Sequence, residues 1–318
     1  MIESDVIKIA EKTENIKMEL VEEKPTNLPD KSSSQIAKAD PGVKITFAGD
    51  LMVDRHVRKI VENNGNNYDY LFRNVSEKLS ESDLVVANLE GPVTTFDSLY
   101  KTGPNPDIYS FTFDPKLVES LYKANIKTVF LDNNHITDYE NEGVTQTLDF
   151  LKKGNIDYFG LPEEEDILRK NIKGINLAFI AYNQFIYSDV EKIIENIKSS
   201  DIENDYVIVF THWGNEYEFS PTSRQIELAH KFIDSGADIV IGTHPHVIQK
   251  KEIYKDKLIY YSLGNFIFDQ YFNEDVKCGA VVSLDLNNNG IESITEEFIS
   301  LDSHEVVSFS DCGEFDIL

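Results

Sequence analysis

Short apolar runs that stop abruptly at a polar, ligand-capable residue constrain this chain more than any other feature. VKITFAGD ends in Asp50, DLVVANLEG in Glu90, IKTVFLDNNH in Asn134 and His135, DYVIVFTHWG in His212, and ADIVIGTHPH in His244 and His246. KLIYYSLGNF closes the series at Asn265. Helical periodicity separates several of these runs, over 114–125, 141–154 and 223–236. Strands that are apolar on both faces need cover on both sides, so strand–helix alternation predicts an α/β fold with a largely buried sheet. In open sheets of that kind ligands bind beyond the carboxyl ends of the strands. The polar residues are therefore expected to converge along one such edge.

Each piece alone has a plainer reading. Gly49-Asp50 suits a turn with a capping carboxylate, Glu90 a strand exit into water, and Asn134 an Asx turn. The His-Pro-His unit says more, because Pro245 fixes its own φ and helps hold two imidazoles in defined directions. Their coincidence at successive strand ends is what points to a site. Four of the seven histidines, His135, His212, His244 and His246, fall in the set. Carboxylate, amide oxygen and imidazole together suit Mn, Zn or Fe as divalent ions, and the lack of a thiolate argues against a structural zinc site. His56, His230 and His304 read as structural or solvent-facing.

A net charge of −26 at pH 7 sets nucleic acid aside as a partner and repels any polyanion unless a cation intervenes. The two cysteines, Cys278 and Cys312, make no disulfide framework. Residues 1–42 are charged, carry Pro25, Pro29 and Pro41 and lack aromatics, which reads as a flexible stalk or linker with at most a marginal helix near 5–23. Residues 43–305 read as one domain and 306–318 as an acidic C-terminal tail. No run approaches the ~18 apolar residues of a membrane span, and acidic residues stand where a basic leader is expected.

Six blocks in this order, GDLMVDR, NLEGPV, NNHITDYENEGV, HWGNEYEFSP, GTHPHVIQ and YSLGNFIFDQ, resemble the CapA/PgsA family of poly-γ-glutamate capsule synthesis proteins, within the calcineurin-like metallophosphoesterase superfamily. The resemblance covers about residues 43–272. It implies a four-layer α/β-β/α sandwich, two sheets packed together with helices outside. It also implies a centre for one or two divalent metal ions, with Asp50 as first ligand and Glu90 in the bridging position. Asn134 matches the amide ligand, His135 the acid that protonates a leaving group, and His212, His244 and His246 the late imidazole ligands. Two positions depart from the superfamily pattern: Met52 stands where a ligand histidine is expected, and Glu90 replaces an aspartate.

Two further residues are candidates for catalysis. Arg55, just beyond Asp50, is placed to clamp a carboxylate or phosphate, or else to pair with a structural aspartate such as Asp54. Glu216, in HWGNEYEF, is a candidate general base. Two functions stay open. One is a metal-dependent enzyme that polarises a carbonyl or phosphoryl oxygen, for amide hydrolysis or transfer on the γ-glutamyl polymer, phosphoester cleavage, or proton abstraction. The other is a non-catalytic component that binds poly-γ-glutamate, or another anionic peptide polymer, or the membrane-bound capsule synthase components. The resemblance also implies the extracytoplasmic face of a bacterial cell membrane, with anchoring by an N-terminal segment that this chain lacks.

Overall fold

Residues 42–99, 109–161, 167–186, 189–302 and 306–318 are described by the structure, a computed structural model. The stalk reading of 1–42, except for Gly42, and His304 lie outside the described residues. In the first sheet β1 (Val43–Leu51), β2 (Leu84–Leu89), β3 (Ile126–Phe130) and β4 (Asp157–Phe159) run parallel. On the other flank of β1, β12 (Cys278–Asn287), β13 (Gly290–Asp302) and β14 (Val306–Phe309) continue it antiparallel. The last residues of β1 take a different neighbour, the short parallel strand β11 (Asn265–Ile267), with Asp50 opposite Asn265.

The second sheet has the order β5 (Ile167–Ile172), β6 (Ile175–Asn183), β7 (Tyr206–His212), β8 (Ile239–Thr243), β10 (Lys257–Tyr260) and β9 (Lys251–Tyr254). Its inner strands are parallel, and β5 and β9 close the edges antiparallel.

Alternation along the strands sets the layering, because successive side chains point to opposite faces. In β7, Tyr206, Ile208 and Phe210 face a core shared with Phe47, Phe130 and Phe159 of the first sheet. The rings of Phe130 and Phe210 lie 4.9 Å apart. Val207 and Val209 face the other way, onto Ile197 of the Val190–Glu203 helix and Leu228 and Phe232 of the Ser223–Asp234 helix. The outer face of the first sheet is covered likewise by the Arg55–Asn63, Lys116–Lys123 and Glu140–Lys153 helices through Val57, Leu117 and Leu151. Each fully buried large side chain contributes roughly 1.5–3 kcal/mol of transfer free energy, so the double-sided pattern is what holds four layers together. The architecture is an α/β-β/α sandwich. Among the described residues no helix is long and apolar enough to cross a membrane.

One expectation about the end of the chain is corrected. Residues 306–318 do not trail from the domain: β14 pairs with β13, and the backbone of Asp316 and Leu318 hydrogen-bonds to Lys251. Phe315 packs on Tyr260 and Phe298. Cys278 and Cys312 form a disulfide across 34 residues, so the pair closes the loop that contains this hairpin.

Candidate metal centre

Asp50 is fully buried at the end of β1, where Asn88 of β2 lies opposite and donates from Nδ2 to Asp50 Oδ1 at 2.7 Å. Glu90 follows β2 and is tied back by its N–H to the Leu51 carbonyl (2.9 Å). Asn133 donates to Asn88 Oδ1 (3.0 Å) and to the Leu89 carbonyl (2.9 Å), fixing the loop that carries Asn134 and His135. From the second sheet, His212 ends β7 with Nδ1 3.1 Å from Thr243 Oγ1 and Nε2 2.9 Å from Asn134 Oδ1. The His244 N–H donates to Asp50 Oδ2 at 3.2 Å. His246 Nδ1 lies 2.9 Å from Asn265 Oδ1 and 3.2 Å from Asp50 Oδ2, and its Nε2 is 3.7 Å from Glu90 Oε1. The strand ends thus meet between the carboxyl edges of two facing sheets, not along one edge. The superposed parallel halves of the sandwich bring them there.

The backbone at the second-sheet side is unusual. His244 has φ 95° and His246 φ 58°, with Pro245 between them. Non-glycine residues in this region cost of order 1–3 kcal/mol each and persist where the surroundings over-determine them, which occurs most at ligand-binding sites. The ring of His244 is wedged between Phe185 (4.1 Å) and His212 (4.7 Å). His135 stacks against Phe111 at 4.2 Å, with its Nδ1 2.8 Å from Asp138 Oδ2 and its Nε2 4.0 Å from Glu90 Oε1.

The three remaining positions of interest resolve differently. Arg55 forks onto the carboxylate of Asp269 through Nε and Nη2, and its guanidinium sits 4.9 Å over the Phe111 ring. The carboxylate it clamps is therefore one of the chain's own, and Asp54 instead pairs with Arg58. Glu216 is exposed, with a carboxylate oxygen in one group with the imidazoles of His244 and His246, all within 4.8 Å. Met52 is fully buried and its sulfur accepts the Asp54 N–H at 3.1 Å, so it supplies no ligand.

The donor set fits a divalent cation. Glu90 Oε1 and His244 Nδ1 are buried and find no hydrogen-bond partner among the described residues. Such orphans cost about 1–3 kcal/mol unless something binds them. Asp50, Glu90 and His246 offer ligand atoms within 4.8 Å of one another. Ligands at ~2.0–2.2 Å from one ion stand at most about twice that apart, so these atoms lie within a few tenths of an ångström of the spacing of a shared ion.

Burial, reinforced by Asp50 and then Glu216, pushes the Glu90 carboxyl well above the usual carboxylate range. Burial also drives His212 well below the usual imidazole value and His244 down to about 3, each helped by neighbouring imidazoles. His212 and His244 are hence neutral near pH 7, whereas burial favours the protonated form of Glu90. Metal uptake is expected to release a proton wherever Glu90 is still protonated, with affinity rising as pH climbs. The same shifts set the stability of the metal-free fold with opposite signs. As pH falls from ~6.5 toward 3 the unfolded chain takes protons that native His244 refuses, so stability is lost. Native Glu90 keeps a proton that the unfolded chain gives up above ~4.3, so its contribution is lost as pH rises. Calorimetry of Mn²⁺ binding in buffers of different ionisation heat checks the proton count. Proton release that does not fall as pH rises would contradict it.

Asn88, Asn133, Asp138 and Asp269 were not singled out by the sequence, although all four sit inside the blocks NLEGPV, NNHITDYENEGV and YSLGNFIFDQ. His230 pairs with Glu252 (2.9 Å) and stacks on Tyr254, and His56 meets Tyr271 edge-on, both away from the centre.

Residues 44–270 match the family described as bacterial capsule synthesis protein PGA_cap. The chain is 35% identical over 268 residues to the capsule biosynthesis protein CapA of Bacillus anthracis, covering 77% of this chain and 64% of that protein. It is 32% identical over 286 residues to the PGA biosynthesis protein CapA of Bacillus subtilis (strain 168), covering 84% and 73%. The match thus spans less than two thirds of the Bacillus anthracis relative. Among solved structures, a phosphatase from Mycoplasma pneumoniae superposes with a TM-score of 0.53 at 15% identity, over 85% of this chain and 95% of the other. That likeness is one of fold, the two-sheet sandwich with helices outside described above.

Proposed function

The chain belongs to the PGA_cap family of bacterial capsule synthesis proteins, and from that membership we propose that it serves poly-γ-glutamate capsule synthesis through a divalent-metal centre acting on the γ-glutamyl polymer. The observation that carries this reading is the buried Asp50–Glu90–His246 group with its orphaned Glu90 oxygen. A divalent ion held there would supply Lewis-acid polarisation of a carbonyl or phosphoryl oxygen and the local positive charge that an anionic polymer needs on a chain of net charge −26.

The chain's own residues do the rest. Asp50 and Glu90 from the first sheet, and Asn134, His212, His244 and His246, are the residues that would hold the metal. Asn88 and Asn265 keep Asp50 and His246 in place through the hydrogen bonds at 2.7 and 2.9 Å. Asp138 anchors Nδ1 of His135 and leaves Nε2 turned toward Glu90, where it hands a proton to a leaving group. The disulfide supports an oxidising compartment, consistent with action on the outer side of the membrane beside the synthase.

A second reading, a non-catalytic polymer- or synthase-binding component, is favoured by Met52, whose sulfur is engaged by Asp54 where the superfamily has a ligand. His135→Ala separates the two. General-acid catalysis is worth about 10²–10⁴-fold, so turnover of a γ-glutamyl oligomer should fall by at least ~100-fold with metal content unchanged. A variant that matches the parent in polymer formation would leave the binding role.

A further inference from the structure

We propose that Glu216 is a metal ligand, completing with His244 and His246 a cation position at the mouth of the centre. The inference rests on the reading of the centre as a metal site. Its carboxylate and the two imidazoles bring ligand atoms within 4.8 Å of one another. The group is not a chance meeting of surface acids. His244 and His246 are only 4% and 3% exposed, and His244 Nδ1 is buried with no hydrogen-bond partner. A buried ring nitrogen in that state needs a hydrogen-bond partner or a cation, and no partner reaches it among the described residues.

Glu216 is held there by its own loop. Gly214 turns the chain out of β7 at φ 86°, and its N–H donates to Gln184 Oε1 at 3.0 Å. Tyr217, at φ 65°, donates its N–H to the Pro245 carbonyl at 2.8 Å, so the residue after Glu216 is bonded to the residue between the two histidines. Its hydroxyl accepts from Gln270 (3.1 Å) and its ring lies 6.2 Å from His246. The ligand histidines and the Glu216 carboxylate are thereby fixed as one unit. Two imidazoles and one carboxylate suit Zn²⁺, Mn²⁺ or Fe²⁺ and leave further coordination positions open to solvent on the exposed side. A carboxylate committed to a cation is not a free general base, so the role read from the sequence gives way to ligation.

The test is metal binding, not turnover. Mn²⁺ titrations followed by calorimetry and by electron paramagnetic resonance would compare the parent with Glu216→Gln, Glu216→Asp and Glu218→Gln. Glu216→Gln keeps the size and removes the charge of an exposed side chain, so folding is not at stake. It should weaken Mn²⁺ binding by at least tenfold and change the Mn²⁺ spectrum, and Glu216→Asp should recover part of the loss. Glu218→Gln, which removes a charge two residues away, should bind as the parent does. If the parent binds Mn²⁺ and Glu216→Gln binds it with the same affinity and spectrum, the ligand assignment fails while the centre stands. If Glu218→Gln weakens binding as much, the effect is general charge and the assignment also fails. A parent that takes up no metal overturns the centre and this position together.

Discussion

Alanine at both His244 and His246 is expected to strip the protein of stoichiometric divalent metal while leaving the sandwich folded. His246 belongs to both candidate cation groups, beside Asp50 and Glu90 on one side and beside Glu216 and His244 on the other. Loss of residues that merely orient ligands costs about 10–100-fold in metal affinity. Loss of two ligands outright should exceed the upper end of that range. The two rings sit at the carboxyl edges of the sheets, where His246 packs on Phe268 at 4.7 Å, and the strand and helix side chains that hold the layers together are untouched. The measurement is metal content by mass spectrometry on protein purified without chelator, with thermal melts at several Mn²⁺ concentrations. The parent should gain about 2.7 kcal/mol at a hundredfold excess over its dissociation constant, and the double variant nothing. Stoichiometric metal in the folded double variant would refute the site.

Much of this was legible in local pattern. The runs from Val43, Leu84, Ile126, Tyr206 and Ile239 are apolar on both faces, and the helices near 116–123, 140–153 and 223–234 were marked by period. The ligand-type residues were legible because strands end where the apolar run ends. What local pattern does not carry is register between distant segments. Asp269 reaches Arg55 across 214 residues, and nothing near Arg55 distinguishes it from Asp54 as a partner. Asn88 and Asn133 carry no local sign of their role until β1, β2 and β3 are laid side by side. VVSF over 306–309 was a strand signal, masked by the acidic residues after it. The disulfide was out of reach for the same reason, since two cysteines 34 apart specify no pairing until β12 and β13 fix the ends.

The stability of the centre also hangs on a residue with no side chain. Gly49→Ala is expected to destabilise the domain by about 3 kcal/mol or more and to abolish metal binding. A Cβ on Gly49 would stand 1.9 Å from the Gly264 carbonyl oxygen and 3.0 Å from its carbon, both backbone atoms that no rotamer change can remove. That carbonyl accepts the Asp50 N–H at 3.0 Å, and Asp50 lies opposite Asn265, which holds His246. Relief of the clash therefore has to part β1 from β11, separating Asp50 from the His246 side of the centre. Overpacking in a well-fitted interior typically costs ~1–3 kcal/mol, and a backbone clash belongs at the upper end or beyond. For a domain of this size that amounts to a fall of roughly 6–12 °C in melting temperature. Gly65→Ala is the comparison: Gly65 has φ 73°, but nothing stands within 4 Å of its would-be Cβ. That change should cost only the ~1 kcal/mol of an unfavourable backbone conformation and leave metal content at the parent level. Thermal melts with metal analysis on both variants separate the two effects. A Gly49→Ala protein that melts within ~2 °C of the parent and retains its metal would show that the β1–β11 contact does not hold the centre together.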